Sequence, residues 1–129
     1  FGRRRTILFG IVFFGLDMAL GYFAKTSLQI GIVLALSGFG WALINVNTLP
    51  MVIDTSADPR LLGTYTGLYY LASQIGAAFA PLMMGSVIDL FGSNFRTIFL
   101  SGPAFFLLGL LAMILVTRGE AQPIPETAA

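Results

Sequence analysis

LQIGIVLALSGFGWALINVNTL, residues 28–49, carries no charged side chain from one end to the other. At about 1.5 Å of rise per residue, a helix of that length matches the roughly 30 Å hydrocarbon core of a bilayer. It is too long for a buried strand and has no period-two alternation. Three further apolar runs surround it, at residues 6–23, 62–89 and 95–117. In hydrocarbon the backbone N–H and C=O groups must be satisfied within the segment, so each run reads as a helix. The sequence predicts an all-α membrane protein with four transmembrane helices. Residues 118–129, with two prolines, two glutamates and no apolar run, read as a disordered cytoplasmic tail.

Composition agrees. Of 129 residues, 57% are hydrophobic and 10% charged, and mean hydropathy is +0.87. Soluble domains carry about a quarter charged residues, so this chain has too few polar groups to face water on all sides. A net charge of +1 and no basic patch interleaved with aromatics point away from nucleic acid. With no cysteine and no histidine, disulfides, zinc sites and most nucleophile–base dyads are excluded. No metal or cofactor is expected, and an enzyme would have to work with a few carboxylates and cations set mostly at segment ends. Phe1 in place of Met leads us to expect a piece of a longer protein. Arg3-Arg4-Arg5 before an apolar run resembles a signal peptide, but the run is too long and contains Asp17.

The segment boundaries have their own chemistry. Lys25-Thr26-Ser27 is a polar turn, and Pro50 is expected to stop the second helix at Leu49. Asp58-Pro59 reads as a cap with proline in the first helical position, and Gly92-Ser93-Asn94 as a stop followed by a new cap. The bias of cations puts Arg3, Arg4, Arg5, Arg60 and Arg118 inside and Lys25 and Arg96 outside, with both termini cytoplasmic. We expect an integral protein of the plasma (inner) membrane, in contact with lipid.

Transmembrane helices associate through small residues, since lipid supplies no hydrophobic drive between them. Gly31, Ala35, Gly38 and Ala42 form such a face on the second helix. Gly63, Gly67, Tyr70, Gln74, Ala78, Pro81 and Gly85 form one on the third. Polar groups at membrane depth are costly and therefore candidates for function. Ser37, Trp41, Asn45 and Thr48 make one stripe on the second helix. Trp41 lies about 20 Å along it, too deep for an interfacial belt, and reads either as a stacking ring for a solute or as a bulky packing residue. Gln74, near mid-bilayer, reads as a solute contact or as interhelical glue. Tyr65, Tyr69 and Tyr70 line a path or form a belt. Asp17, the one carboxylate well inside an apolar run, suits proton coupling if protonated there, or is a structural aspartate bonded to a neighbouring helix.

Gly2-Arg3-Arg4-Arg5 leading at once into an apolar helix resembles the end of the cytoplasmic loop signature of the major facilitator superfamily, G-x-x-x-D-R/K-x-G-R/K-R/K. Only the last part of that signature is present. A second resemblance covers residues 45–92. It holds Asn45-Val46-Asn47-Thr48-Leu49-Pro50, then Gly63-Thr64-Tyr65-Thr66-Gly67-Leu68-Tyr69-Tyr70, then Gln74, Pro81, Gly85, Asp89 and Gly92. This is similar to the tenth and eleventh helices of the sugar–cation branch, near the sucrose/maltose–proton symporters. The resemblance implies the ninth to twelfth helices of a twelve-helix bundle, whose partners are the missing N-terminal helices and a small-molecule solute. It implies Trp41, Asn45, Tyr70 and Gln74 on the solute path and a cytoplasmic gate latch at Gly2, Arg3 and Arg4. It also sets Asp17 at the periphery. The implied function is secondary active transport by alternating access, of a sugar with a proton. The alternatives are a non-transporting membrane scaffold or receptor-like subunit, and a membrane-embedded enzyme.

Overall fold

The computed structural model describes residues 2–55 and 58–120. Four helices run through them: α1 Arg3–Gly21, α2 Ser27–Ile53, α3 Leu62–Leu90 and α4 Thr97–Leu115. A 3-10 turn, Pro59–Leu61, leads into α3, and no strand occurs among the described residues.

The helix ends follow from local chemistry. Thr26 Oγ1 accepts from the Gln29 N–H at 3.2 Å, and Gln29 Oε1 accepts from the Thr26 N–H at 3.2 Å, a reciprocal cap that starts α2. Asp58 Oδ1 accepts from the Arg60 N–H at 2.9 Å and caps the 3-10 turn. Gly92 and Ser93, at φ 71° and 59°, reverse the chain after α3. Asn94 Oδ1 then accepts from the Arg96 N–H at 3.1 Å just before α4 begins. Pro50 does not stop α2. It sits inside the helix, which runs to Ile53, and the Asp54 N–H donates to Pro50 O at 2.9 Å. A proline one turn from the end removes a single backbone bond and leaves the following turn intact. At the other end, α1 takes Arg3, Arg4 and Arg5 into its first turn instead of starting after them.

Three of these stretches are long and apolar enough to cross a bilayer: Ser27–Ile53, Pro59–Leu90 and Thr97–Leu115. α1 falls short of that measure because its 19 residues include three arginines and Asp17. Of the residues counted above with the tail, Gly119 lies against Met51 of α2 and Glu120 against the start of α1, whereas residues 121–129 fall outside the described residues.

α1 is the central strut, packed along α2 on one side and α4 on the other, while α3 leans lightly on α2 and α4 and buries none of its residues. The core between the first three contains Ile7, Ile11 and Met51, with Ile44, Phe106, Leu110 and Met113 against it. Most other large apolar side chains face outward, as in Leu82 at 68% and Leu90 at 81% exposure, a surface suited to lipid rather than water. The α1–α2 seam closes at two glycines. A Cβ on Gly10 would stand 3.0 Å from Ile44 Cγ1 and 3.1 Å from Gly40 O, and one on Gly40 would stand 3.1–3.4 Å from Phe13 and Phe14. The small-residue face expected on α2 is not this seam, since nothing lies within 4 Å of a Cβ on Gly31 or Gly38. Ser37, Gly40, Ile44 and Met51 face α1, and at about 100° per residue Gly31 and Gly38 lie well around the axis from them.

The seam makes a measurable demand. In detergent, Gly10→Val should lower stability by about 1–3 kcal/mol through overpacking. Gly31→Ala, which meets open space, should leave the thermal midpoint unchanged or slightly raised. Equal losses at both positions would show that Gly10 and Gly40 do not set the α1–α2 approach.

Candidate functional site

The light contact of α3 with α2 leaves a cleft of about 620 Å³ between them. α2 contributes Trp41, Ile44, Asn45 and Thr48, and α3 contributes Tyr69, Ser73, Gln74, Gly76, Ala77 and Ala80. Of the four path residues expected from sequence, Trp41, Asn45 and Gln74 meet here. Trp41 is 54% exposed and steadied from behind by Phe14, edge to face at 6.3 Å, so much of its surface stays open. The Asn45 and Gln74 side-chain amides make no hydrogen bond to any described residue. Each brings two donors and an acceptor to the cleft, and an amide left unmet in an apolar medium is costly, so both favour a partner with hydroxyl or carbonyl groups.

Tyr70 does not line the cleft. It is 52% exposed and meets Tyr69 edge to face at 5.4 Å. Tyr69 takes the lining position, and its hydroxyl lies 3.1 Å from Thr48 Oγ1, a polar bridge from α3 to α2. Sequence reasoning followed the row Gly63, Gly67, Tyr70, Gln74. The row that lines the cleft is Tyr69, Ser73, Ala77 and Ala80, with Gln74 and Gly76 beside it, also at spacings of three and four, and that spacing was the available signal. The Ser37 to Thr48 stripe divides as well. Ser37 is buried against α1, and its hydroxyl donates to Asp17 Oδ2. Asp17, 5% exposed, thus ties α1 to α2 and does not line the cleft.

The arginine end of α1 forms a second cluster. The Arg3 and Arg4 backbone N–H groups donate to the two carboxylate oxygens of Glu120, each at 3.0 Å. That places a negative charge on the positive end of the α1 dipole. The Arg3 guanidinium pairs with Asp54 at the end of α2, and Arg4 Nη2 donates to Ile114 O of α4 at 2.6 Å. Gly2, though exposed, lies against the same carboxylate, since a Cβ there would stand 2.9 Å from Glu120 Oε2. Gly119, at φ 89°, leaves no room for a Cβ because Met51 O would lie 2.2 Å from it. Gly2, Arg3 and Arg4 therefore fasten the ends of α1, α2 and α4 together. Asp54 and Glu120, which the sequence reading did not single out, supply the charges they meet.

The family model of the Major Facilitator Superfamily matches residues 1–129. The chain belongs to that superfamily. It is thus an integral membrane protein of a transporter family, which points away from an enzyme. Among curated proteins it is similar to the drug efflux pump JefA of Mycobacterium tuberculosis, in strains CDC 1551 / Oshkosh and H37Rv. Identity is 25% over 121 residues, covering 93% of this chain and 23% of the relative. The chain thus spans about a quarter of the length of these relatives. No solved structure matches it.

The Thr48–Tyr69 bridge can be weighed by a double-mutant cycle in detergent. Thr48→Val and Tyr69→Phe should each cost about 0.6 kcal/mol, the double variant no more than either alone. Additive losses would mean that the two hydroxyls act separately.

Proposed function

We propose that the chain forms the ninth to twelfth helices of a twelve-helix secondary transporter that moves a small solute by alternating access. All four helices then cross the membrane, with both termini cytoplasmic and the protein in the plasma membrane. The α2/α3 cleft is this chain's share of the solute path. One observation carries the reading: Trp41 opens its ring into the same cleft as the unpaired amides of Asn45 and Gln74. A ring with an apolar face and hydroxyl edges fits that set, which favours a sugar, the solute implied by the resemblance to the sugar–cation branch. A second reading, export of an amphipathic drug, is favoured by the similarity to a drug efflux pump.

Uptake of labelled disaccharide by vesicles holding the complete transporter tests the first reading. Trp41→Ala should raise the half-saturating concentration about tenfold, with Trp41→Phe much milder. Gln74→Leu should also weaken uptake, and Tyr70→Phe should not. Disaccharide uptake indifferent to Trp41, with dye export lost in the same variant, would replace the sugar by a drug.

Asp17 is the candidate for proton coupling. Its bond to Ser37 supports a structural tie between α1 and α2. Asp17→Asn keeps a hydrogen-bonding oxygen and removes the ionisable proton, so gradient-driven uptake should persist. Loss of gradient drive with solute exchange intact would make Asp17 the coupling group.

A further inference from the structure

Arg3 and Arg4 are both engaged, but their neighbour Arg5 is exposed and makes no hydrogen bond or ion pair with any described residue. At about 100° per residue, Arg5, Phe9, Val12 and Leu16 fall on one line along α1. Phe9, Val12 and Leu16 are all exposed, at 59%, 43% and 62%. Below Arg5 this line opens into an apolar groove of about 280 Å³ between α1 and α4. Val12, Leu16 and Ala19 form one wall, Pro103, Leu107 and Leu110 the other.

The geometry points to a binding site for a single anionic phospholipid, with its headgroup phosphate on Arg5 and an acyl chain in the α1/α4 groove. The dimensions agree with a lipid. Residues 11–19 of the groove run about 12 Å along the helix, close to the roughly 15 Å half-thickness of the hydrocarbon. About 10 Å of rise separates Arg5 from Val12, room for the glycerol and ester groups beside Phe9. The guanidinium forms paired hydrogen bonds with phosphate oxygens, and its long stem lets it reach the interface from the first turn of α1. The site requires α1 to lie in the bilayer beside α4. It makes no use of the α2/α3 cleft, so it and the transport reading fail in different assays.

The test places the full chain, as Trp41→Phe with Leu111→Trp as reporter beside the groove, in vesicles containing brominated lipid. Brominated phosphatidylglycerol should quench the reporter with about fivefold higher apparent affinity than brominated phosphatidylcholine. Arg5→Gln should bring that ratio to about one and Arg5→Lys should retain it. Val12→Phe, which fills the groove and leaves Arg5 in place, should also abolish the preference. Circular dichroism on each variant confirms that the helices remain. Equal quenching by both lipids in the parent would mean bulk lipid only. No quenching by either would mean a protein helix covers the groove. A preference that survives Arg5→Gln or Val12→Phe would reflect general surface attraction. Each of these results overturns the site.

Discussion

Everything in this bundle depends on how closely α1 approaches α2. With lipid outside, no hydrophobic force draws two apolar helices together, and the gain has to come from dispersion contacts at short range and from polar bonds between them. Gly10 and Gly40 supply the first by admitting Ile44, Leu43, Phe13 and Phe14 to backbone distance. Asp17 and Ser37 supply the second: the hydroxyl has a carboxylate to meet, and the carboxylate is shielded from hydrocarbon. Neither works without the other. A wider seam would separate the polar pair, and an unpaired carboxylate at that depth would demand water.

The cleft exists because, among the described residues, α3 has no glycine seam and only one polar link to α2. Its glycines at positions 63, 67, 76 and 85 meet nothing within 4 Å, and its polar link to α2 is the Thr48–Tyr69 bridge near one end. Beyond that bridge the two helices part around Trp41, Asn45 and Gln74. On the alternating-access reading proposed above, a space that opens to different sides in turn would not be walled by two helices locked together along their length. The light packing of α3 and the tight packing of α1 are thus two halves of one arrangement.

What was legible in the sequence was set by hydropathy and by local caps. Four apolar runs gave four helices, and Asp58 caps ahead of Pro59 as its residue type leads one to expect, whereas Asn94 bonds the Arg96 N–H in the turn before α4 and is not that helix's cap. Legibility failed where a choice depended on a neighbour. Gly31/Gly38 and Gly40 are all small residues on one helix, and only the position of α1 separates the open face from the seam. Tyr69 and Tyr70 differ by one step, about 100° around the axis, and only the position of α2 decides which of them meets Thr48. Pro50 failed for another reason: its effect on a helix is a matter of a single backbone bond, which the last turn of α2 absorbs.

The charged cluster at the start of α1 extends the same logic to the helix ends. Helix ends expose unpaired N–H and C=O groups, and where three helices end together those groups of opposite sign can satisfy one another. Glu120 meets the free amides of α1, Arg4 meets a terminal carbonyl of α4, and Arg3 meets the carboxylate that follows α2. Each contact joins α1 to one of the two helices it already touches deeper in the bundle, and none reaches α3. α1, α2 and α4 are therefore tied both at their ends and, for α1 with α2, midway along the helices at Asp17 and Ser37, which makes them the frame. α3, joined to that frame by a hydroxyl pair, light packing on α2 and α4 and the Pro59–Leu61 turn, is the least tied of the four, so a tilt within the bundle would fall on it at the lowest energetic cost. Pro81, inside α3 one turn past Ala77 and next to Ala80 of the cleft lining, removes a backbone bond where such a tilt would be absorbed.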